Sequence, residues 1–472
     1  MSTTSELARQ SATEIRELIA KKEISPVEAV RASLEMVEKH NGAINAVVTL
    51  NEQALDDARA LEQKIMRGEE PGPLCGLTAG IKDVTPVAGL RTTFGSPLFK
   101  DYVPKEDALV VQRLRNAGAV ILGKTNTPEF ATGGNTFNEV FGRTCNPWKL
   151  TRSAGGSTGG GAAGLATGMI ALAEGTDLGG SLRIPASFCG IVGLRPSPGL
   201  VPTYPSDYLW DNMQVTGIMA RAAEDIALTL QAVSGPSTLS PVSQPNKNRD
   251  FISGVNGGIH KGAKIAYVRD IAGIGIDPEV GEICRDAAFE MKQDGADVQE
   301  IEWDLSQYWK PFLHIRGFWM VAQQYPRLDQ REKFGANLKG NVEAGLKVRM
   351  EQLGMAEHVR GKMWLEFREF FQKYDYLLTP CMAIPPFPVT QNYPETIAGK
   401  QMKTYVDWIA PTFILSLTGL PVGSAPCGLT AEKLPVGMQI VGPARGEEKV
   451  LALAKVMQQA RPIGLPVLKR DS

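Results

Sequence analysis

The sequence predicts an α/β fold, in which helices alternate with short apolar strands around one central sheet. The first observation is a helical pattern over 108–116 followed at once by the apolar run AVIL at 119–122. The second is the return of strand-like runs, each ended by Pro or Gly, late in the chain: YDYLLTP, LTGLPVGSAPCGL and LPVGMQIVG. With 43% hydrophobic and 21% charged residues, the composition allows a large buried core.

The first 70 residues predict helices through their capping chemistry. Ser11 with Glu14, and Ser25 with Glu28, are capping-box patterns, and Pro26 occupies the first helical position of the second helix. A third helix is expected over 51–66, and the strand-like run 77–84 follows it. An N-terminal helical segment of about residues 1–70 therefore precedes the predicted core.

The rest of the chain predicts one domain, 1–472, with a core formed by about 71–235 and 374–465. The small apolar stretch AAGLATGMIALAEG, which follows SAGGSTGGG, is expected to be a helix packed closely inside this core. Residues 235–260 are rich in Ser, Pro, Asn and Gly and predict a surface excursion. A helical insertion over about 260–373 is expected to cover one face.

Charge and cysteine usage exclude several classes of function. Fifty basic and fifty-one acidic side chains give a formal charge of -1 without a basic block, so neither nucleic acid nor a membrane surface is an expected partner. The six cysteines form no CxxC pair, so we expect no metal site, disulfide framework or cofactor. MSTTSELARQ lacks the features of a secretion signal, and no long apolar run occurs, so we predict a cytoplasmic protein.

Two short motifs match well-known patterns but stand in the wrong context. The segment from Gly118 to Thr125 matches GxxxxGK[ST], yet its four variable residues form the predicted strand instead of a phosphate-binding loop. The segment from Gly155 to Gly159 matches GxSxG, which would make Ser157 the nucleophile of an esterase. The preceding residues KLTRSAGG are polar and predict no strand, and none of the four histidines lies in a distinctive pattern.

A third constellation, GTDLGGSLRIP from Gly175 to Pro185, predicts catalysis by Ser181. Two glycines before a serine allow successive backbone N–H groups to converge on one point, as an oxyanion hole requires. We expect Asp177 and Arg183 to pair and hold this loop in position.

Together these segments resemble the amidase signature family. LTAGIKDV, AGAVILGKTNTPEF, RSAGGSTGGGAAG, EGTDLGGSLRIPASFCGIVGLRPSPG and the two late strand runs are similar to family segments, in family order. The resemblance implies a central twisted mixed β-sheet covered by helices on both faces. It also implies a Ser-Ser-Lys triad: Ser181 as nucleophile, Ser157 as proton bridge held by a cis peptide bond, and Lys82 as general base. The N–H groups of Leu178, Gly179 and Gly180, with that of Ser181, would form the oxyanion hole.

The chemistry of this triad is consistent by itself. A serine hydroxyl needs a base, and lysine can serve only if burial or a neighbouring positive charge lowers its pKa from about 10.4 towards neutrality. Lys82 lies beside an apolar strand-like run, so burial is expected. A second hydroxyl can pass the proton because it both donates and accepts.

The resemblance also bears on the substrate. The resemblance implies a hydrolase of small amides, with aryl or alkyl carbamates (urethanes) as a further expectation, and it allows a homodimer. The alternatives are a glutaminase-type amidotransferase subunit and the GxSxG esterase. The residues expected to contact substrate are Ala131, Thr132, Thr176, Tyr204 and Trp210. Phe318, Trp319 and Met320 in the insertion would favour an apolar or aryl group.

Overall fold

Helices and strands alternate along the chain as the sequence predicts, and the computed structural model describes residues 4–468. The helices are α1 (Thr4–Leu7), α2 (Ala12–Ala20), α3 (Pro26–Ile44), α4 (Ala54–Met66), α5 (Leu109–Asn116), α6 (Gly159–Ala166), α7 (Arg183–Cys189), α8 (Ala223–Val233), α9 (Phe251–Asn256), α10 (Pro278–Glu290), α11 (Trp309–Gln324), α12 (Ala336–Leu346), α13 (Met350–Phe370), α14 (Ala410–Ser416) and α15 (Glu447–Ala460). The strands are β1 (Val47–Leu50), β2 (Thr78–Lys82), β3 (Val120–Thr125), β4 (Phe137–Asn138), β5 (Gly142–Arg143), β6 (Cys145–Asn146), β7 (Lys149–Ser153), β8 (Leu172–Asp177), β9 (Val192–Arg195), β10 (Val215–Ala220), β11 (Lys264–Tyr267), β12 (Asp297–Glu300), β13 (Tyr376–Pro380), β14 (Thr396–Ile397), β15 (Lys400–Gln401), β16 (Val422–Leu429) and β17 (Pro435–Val441).

Eleven of these strands form one mixed sheet, in the order β1-β3-β2-β8-β10-β9-β16-β17-β13-β11-β12. β3, β2 and β8 are parallel to one another, as are β13, β11 and β12, and the strands between the two groups are antiparallel. β13, β16 and β17 are the three late runs that the sequence predicts. The expected mixed α/β sheet is therefore confirmed.

Apolar side chains form two buried clusters around this sheet. The first includes Ile81 and Leu172 from the central strands together with side chains of the N-terminal helices. The second is rich in aromatic residues of the helical region, where the rings of Phe312 and Phe413 stack with centroids 4.1 Å apart. Leu178 and Ile184, on either side of Ser181, belong to this second cluster. Between residues 4 and 468, no helix combines the length and apolarity that a membrane crossing needs.

The capping predictions for the N-terminal segment are confirmed. The side chains of Ser11 and Ser25 each accept from the backbone N–H of the glutamate three residues on. Each glutamate side chain in turn accepts from the backbone N–H of its serine. The segment is not purely helical, because β1 pairs with β3 at the edge of the sheet. Its first three residues lie outside the described range.

Three sequence expectations need correction. The span 260–373 is not wholly helical, since β11 and β12 within it extend the central sheet. β12 is a polar edge strand with only one buried residue, so its sequence lacks the apolar run typical of a core strand. AAGLATGMIALAEG is helical only in its first half, because Gly168, with φ +78°, ends α6 and the rest enters β8. KLTRS, expected to be no strand, is β7, which pairs with β6 outside the main sheet.

Candidate active site

Lys82 and Thr176 meet because they lie near the carboxyl ends of neighbouring strands. β2 and β8 run parallel, with Ile81 opposite Glu174, so their carboxyl ends reach the same edge of the sheet. The amine of Lys82, fully buried, contacts Thr176 Oγ1 at 2.9 Å and the Thr176 carbonyl at 3.4 Å. The sequence predicts that Thr176 contacts substrate; in the structure its polar atoms contact the lysine amine, and the residue also lines the larger cavity described below.

Burial determines the charge state of Lys82. Removal from water lowers the pKa of its amine to about 7, against the opposite pull of the carboxylates of Glu174 and Asp177. A neutral amine has two N–H groups and one lone pair. The two contacts to Thr176 satisfy the N–H groups, and the lone pair is left for a hydroxyl that donates to it.

Ser157 supplies the remaining contact of this amine. Its Oγ lies 2.7 Å from Lys82 Nζ, and the side chain is fully buried at the turn before α6. The peptide bond between Gly156 and Ser157 is cis, as the resemblance implies. The backbone N–H of Thr158 donates to the Ser181 carbonyl at 3.2 Å, which joins this turn to the loop of the second serine.

The carboxylate of Asp177 holds the loop of Ser181 in place. Its carboxylate accepts from the Arg183 guanidinium at 2.9 and 3.0 Å and from the N–H of Gly180 and Leu182 at 2.8 and 3.2 Å. Although burial alone would raise it, Arg183 and the other donors hold the pKa of Asp177 well below its usual range. The expected pairing of Asp177 with Arg183 is confirmed.

The backbone N–H groups expected to form the oxyanion hole are not equivalent. Gly180 has φ +123°, and a Cβ there would collide with Thr412 Oγ1, so only glycine fits. Its N–H already donates to Asp177. Leu178, Gly179 and Ser181 instead line one cavity of about 30 Å³. The N–H of Gly180 therefore supports the loop, and the other three are the candidates for an oxyanion.

Two cavities lie beside this loop. The smaller one, which contains Ser181, is also lined by Phe130, Ala131, Thr132, Trp319 and Met320. The larger one, of about 160 Å³, shares Phe130, Ala131, Gln214 and Trp319 with it and extends to Tyr204. Of the residues expected to contact substrate, Ala131, Thr132, Thr176 and Tyr204 therefore line these cavities. Trp210 lines neither and is 69% exposed.

Burial argues against a functional role for the two short motifs, GxxxxGK[ST] and GxSxG. Gly123, Lys124 and Thr125 lie inside β3, and the Lys124 amine is buried, where it donates to the carbonyl of Thr85 and to Thr92 Oγ1, so it cannot cradle a phosphate. Ser157 is buried against a lysine, whereas Ser181 is partly exposed in a cavity. This geometry favours Ser181 over Ser157 as the group that meets a substrate.

Several residues around the site escape the sequence analysis. Glu174 accepts from the backbone N–H of Lys82 at 3.1 Å and from Thr85 Oγ1 at 3.0 Å. Arg195 in β9 donates to the Asp177 carbonyl, and Arg316 lines the smaller cavity. Only Glu174 carried a signal, since it stands directly before GTDLGGS; the other two come from distant segments.

The fold and this site together define an amidase signature enzyme, and the chain belongs to that family: the family model described as Amidase matches residues 28–451. The chain is a hydrolase of amide C–N bonds.

Among individual proteins, the chain is 36% identical to the acylamidase of Rhodococcus erythropolis, over 96% of this chain and 95% of that protein. It is 34% identical to the A subunit of the glutamyl-tRNA(Gln) amidotransferase of Moorella thermoacetica, over 96% and 97%. The crystal structure of a bacterial aryl acylamidase of the amidase signature family superposes with a TM-score of 0.88 at 28% identity, covering 96% of both chains.

Proposed function

We propose that this protein hydrolyses small amides through an acyl-enzyme on Ser181, with Ser157 as proton bridge and Lys82 as general base. The observation that carries the proposal is the buried contact of 2.7 Å between Lys82 Nζ and Ser157 Oγ. An amine whose pKa is about 7 is substantially neutral near pH 7, so it can accept a proton there.

The first half of the reaction forms the acyl-enzyme. Ser157 gives its proton to Lys82 while it receives the proton of Ser181, and Ser181 Oγ attacks the amide carbon. The N–H groups of Leu178, Gly179 and Ser181 stabilise the negative charge on the carbonyl oxygen. The C–N bond then breaks, and the proton returns from Lys82 through Ser157 to the departing nitrogen. The amine leaves with the electrons of that bond.

The second half releases the acid. Water enters, its proton passes through Ser157 to Lys82, and its oxygen attacks the ester carbon. Collapse of the second tetrahedral intermediate breaks the bond to Ser181 Oγ, which recovers a proton along the same path. Asp177, held by Arg183 and Arg195, is a positioning residue that keeps the loop in place.

Aromatic residues of the two cavities support an amide that carries an apolar or aryl group. Phe130 and Trp319 line both cavities, and Phe94 and Phe99 extend the larger one. The acylamidase relative and the aryl acylamidase fold support the same substrate class. We also predict that aryl carbamates are cleaved, because Ser181 would attack their carbonyl carbon in the same way as that of an amide.

A glutaminase subunit is the second candidate, supported by the 34% identity to an amidotransferase component. It would use the same relay with glutamine as the amide. The two candidates differ in substrate and not in mechanism, so turnover by the isolated chain separates them.

The test is covalent labelling with a fluorophosphonate, located by peptide mass spectrometry, beside turnover of acetanilide, a phenylcarbamate ester and glutamine. We expect the label on Ser181, its loss in Ser181→Ala, and release of aniline from acetanilide. Label on Ser157 would favour the esterase mechanism, and no label on the folded chain would contradict the proposal. Turnover of acetanilide without the carbamate would remove the urethane prediction, and turnover of glutamine alone would favour the glutaminase candidate.

A further inference from the structure

Arg316 is a buried cation in the wall of the cavity that contains Ser181. It lies on α11, it is only 7% exposed, and it lines the smaller cavity together with Leu178, Gly179 and Ser181. The remaining wall is largely apolar and includes Ile184 and Met320. A charge in such a place has a large desolvation cost unless an opposite charge meets it.

The protein itself supplies no such charge. Arg316 donates to Asn341 Oδ1 and, at 2.5 Å, to Tyr405 Oη, and both acceptors are neutral. Among residues 4–468, no carboxylate oxygen lies within 4.0 Å of its guanidinium. The two bonds occupy only two of the five N–H donors that a guanidinium carries.

Other buried arginines show how this protein normally compensates the charge. Arg183 meets the carboxylate of Asp177 at 2.9 Å, and the buried Arg195 contacts the same carboxylate at 3.4 Å. Arg221 has no ion pair among the described residues either, but its donors make four bonds to backbone carbonyls. The Arg316 guanidinium lies 5.7 Å from the centroid of the Tyr405 ring, but it has neither an ion pair nor a set of backbone acceptors, and it lines a cavity.

We propose that the substrate carries a carboxylate and that Arg316 binds it. This inference rests on the proposed function and narrows it: the amide is one whose acyl or amine part ends in a carboxylate within reach of Ser181. A guanidinium matches a carboxylate with two parallel N–H bonds, and unused donors are what such a pair needs. Tyr405 and Asn341 hold the guanidinium in position, and the apolar wall contacts the carbon chain.

The test uses two matched pairs of amides. In the first pair the acyl part varies: glutaryl anilide carries a carboxylate, and its analogue carries a methyl ketone in the same place. In the second pair the amine part varies: para-acetamidobenzoate is compared with para-acetamidoacetophenone. Each is measured as kcat/KM with the wild-type chain, with Arg316→Gln, with Arg316→Lys and with Arg349→Gln, which removes an exposed arginine of the same helical region.

We expect the wild-type chain to prefer the carboxylate in one pair by about tenfold to a hundredfold, as a charged hydrogen-bonded pair provides. The pair that shows the preference identifies the side of the scissile bond. Arg316→Gln should remove this preference through KM and leave the neutral partner nearly unchanged, Arg316→Lys should keep part of it, and Arg349→Gln should keep all of it.

Three results would overturn the inference. They are a wild-type preference for the neutral amide in both pairs, an equal loss for both members in Arg316→Gln, and no cleavage of any of the four amides by a chain whose Ser181 is labelled. The wild-type preference is decisive even if Arg316→Gln does not fold. Absence of label on Ser181 would instead contradict the proposed function, so the two failures are distinguishable.

Discussion

Two lysines lie side by side in the sheet, both fully buried, and they differ in what surrounds their amines. Lys82 ends β2 and Lys124 lies in β3, with Ile81 opposite Lys124. The amine of Lys82 meets two hydroxyls and a carbonyl. The amine of Lys124 meets the Thr85 carbonyl, the Thr92 hydroxyl and, at 3.9 Å, the carboxylate of Asp83.

The comparison shows that burial prepares an amine for base chemistry, while the partners decide whether the amine can perform it. Burial lowers the pKa of Lys82 to about 7 and that of Lys124 to about 8. Lys82 contacts the hydroxyl of Ser157, and the residue after Ser157 is hydrogen-bonded to the Ser181 loop. Lys124 is enclosed by groups that only hold it, so we assign it a structural role.

The largest difference between the two lysines is expected when Lys82 is removed. Lys82→Ala should lower kcat by about four powers of ten, because members of a catalytic triad act as a unit. The free energy of unfolding, measured in urea, should change little in comparison. A near-normal kcat in the folded variant would contradict the role of Lys82 as base.

Removing Lys124 should have the opposite pattern. Lys124→Met leaves the carboxylate of Asp83 buried without its cation, which should cost about 3 kcal/mol of the free energy of unfolding. The kcat per folded molecule should fall by less than about tenfold, a small effect beside the loss of a triad member. A folded Lys124→Met as inactive as Lys82→Ala would place Lys124 in the proton path and end the distinction.

A smaller effect is expected at Thr176, whose hydroxyl holds the Lys82 amine at 2.9 Å. Thr176→Val keeps the shape and removes this contact, which should lower kcat by about tenfold, the value of one hydrogen bond. Thr78→Val removes a buried hydroxyl at the start of β2, where it contacts Ser33 Oγ at 2.9 Å away from the cavities, and serves as the control. If both variants behaved alike, the hydroxyl of Thr176 would have no special part in orienting the amine.

The mildest change concerns the carboxylate of Glu174, which favours the protonated form of Lys82 and so raises its pKa. In Glu174→Gln that influence is gone, so the pKa of Lys82 should fall. Activity that requires the neutral amine should then appear at lower pH, and the rising limb of kcat/KM should move in the acid direction. Glu351→Gln, an exposed carboxylate in α13, should leave the limb in place. A shift in the alkaline direction in Glu174→Gln would reverse the assigned sign.

The sequence predicts most of the candidate catalytic residues because its signals are local. GGS, GIKD and GGSTGG each lie in one short segment, and the capping boxes around Ser11 and Ser25 need only three residues. Arg316 and Arg195 could not be predicted in the same way, because their meaning depends on contacts with residues far away in the chain. Trp210 is the opposite case, a residue that the sequence wrongly places at the substrate. It lies in a segment expected to contact substrate, but in the structure it is on the surface instead of in the cavity.

Two further expectations failed for physical reasons that a pattern does not contain. β7 is polar because its partners, β6 and a bridge to Pro388, lie outside the main sheet, and it therefore lacks the apolar run of a core strand. The N–H of Gly180 looks equivalent to its neighbours in the sequence. In the structure Gly180 has a positive φ and its N–H donates to Asp177. Two adjacent glycines permit this backbone conformation, but the sequence does not specify it.

The central claim, that a neutral Lys82 activates Ser181 through Ser157, is tested most directly by the rate at which a fluorophosphonate labels Ser181 as a function of pH. The account predicts a rate that rises with pH, with a midpoint near the Lys82 pKa of about 7, and Lys82→Ala should be labelled far more slowly at every pH. A wild-type rate that does not change from about pH 5.5 to about pH 9, well on both sides of that pKa, would contradict it. So would a Lys82→Ala chain labelled as fast as the wild type.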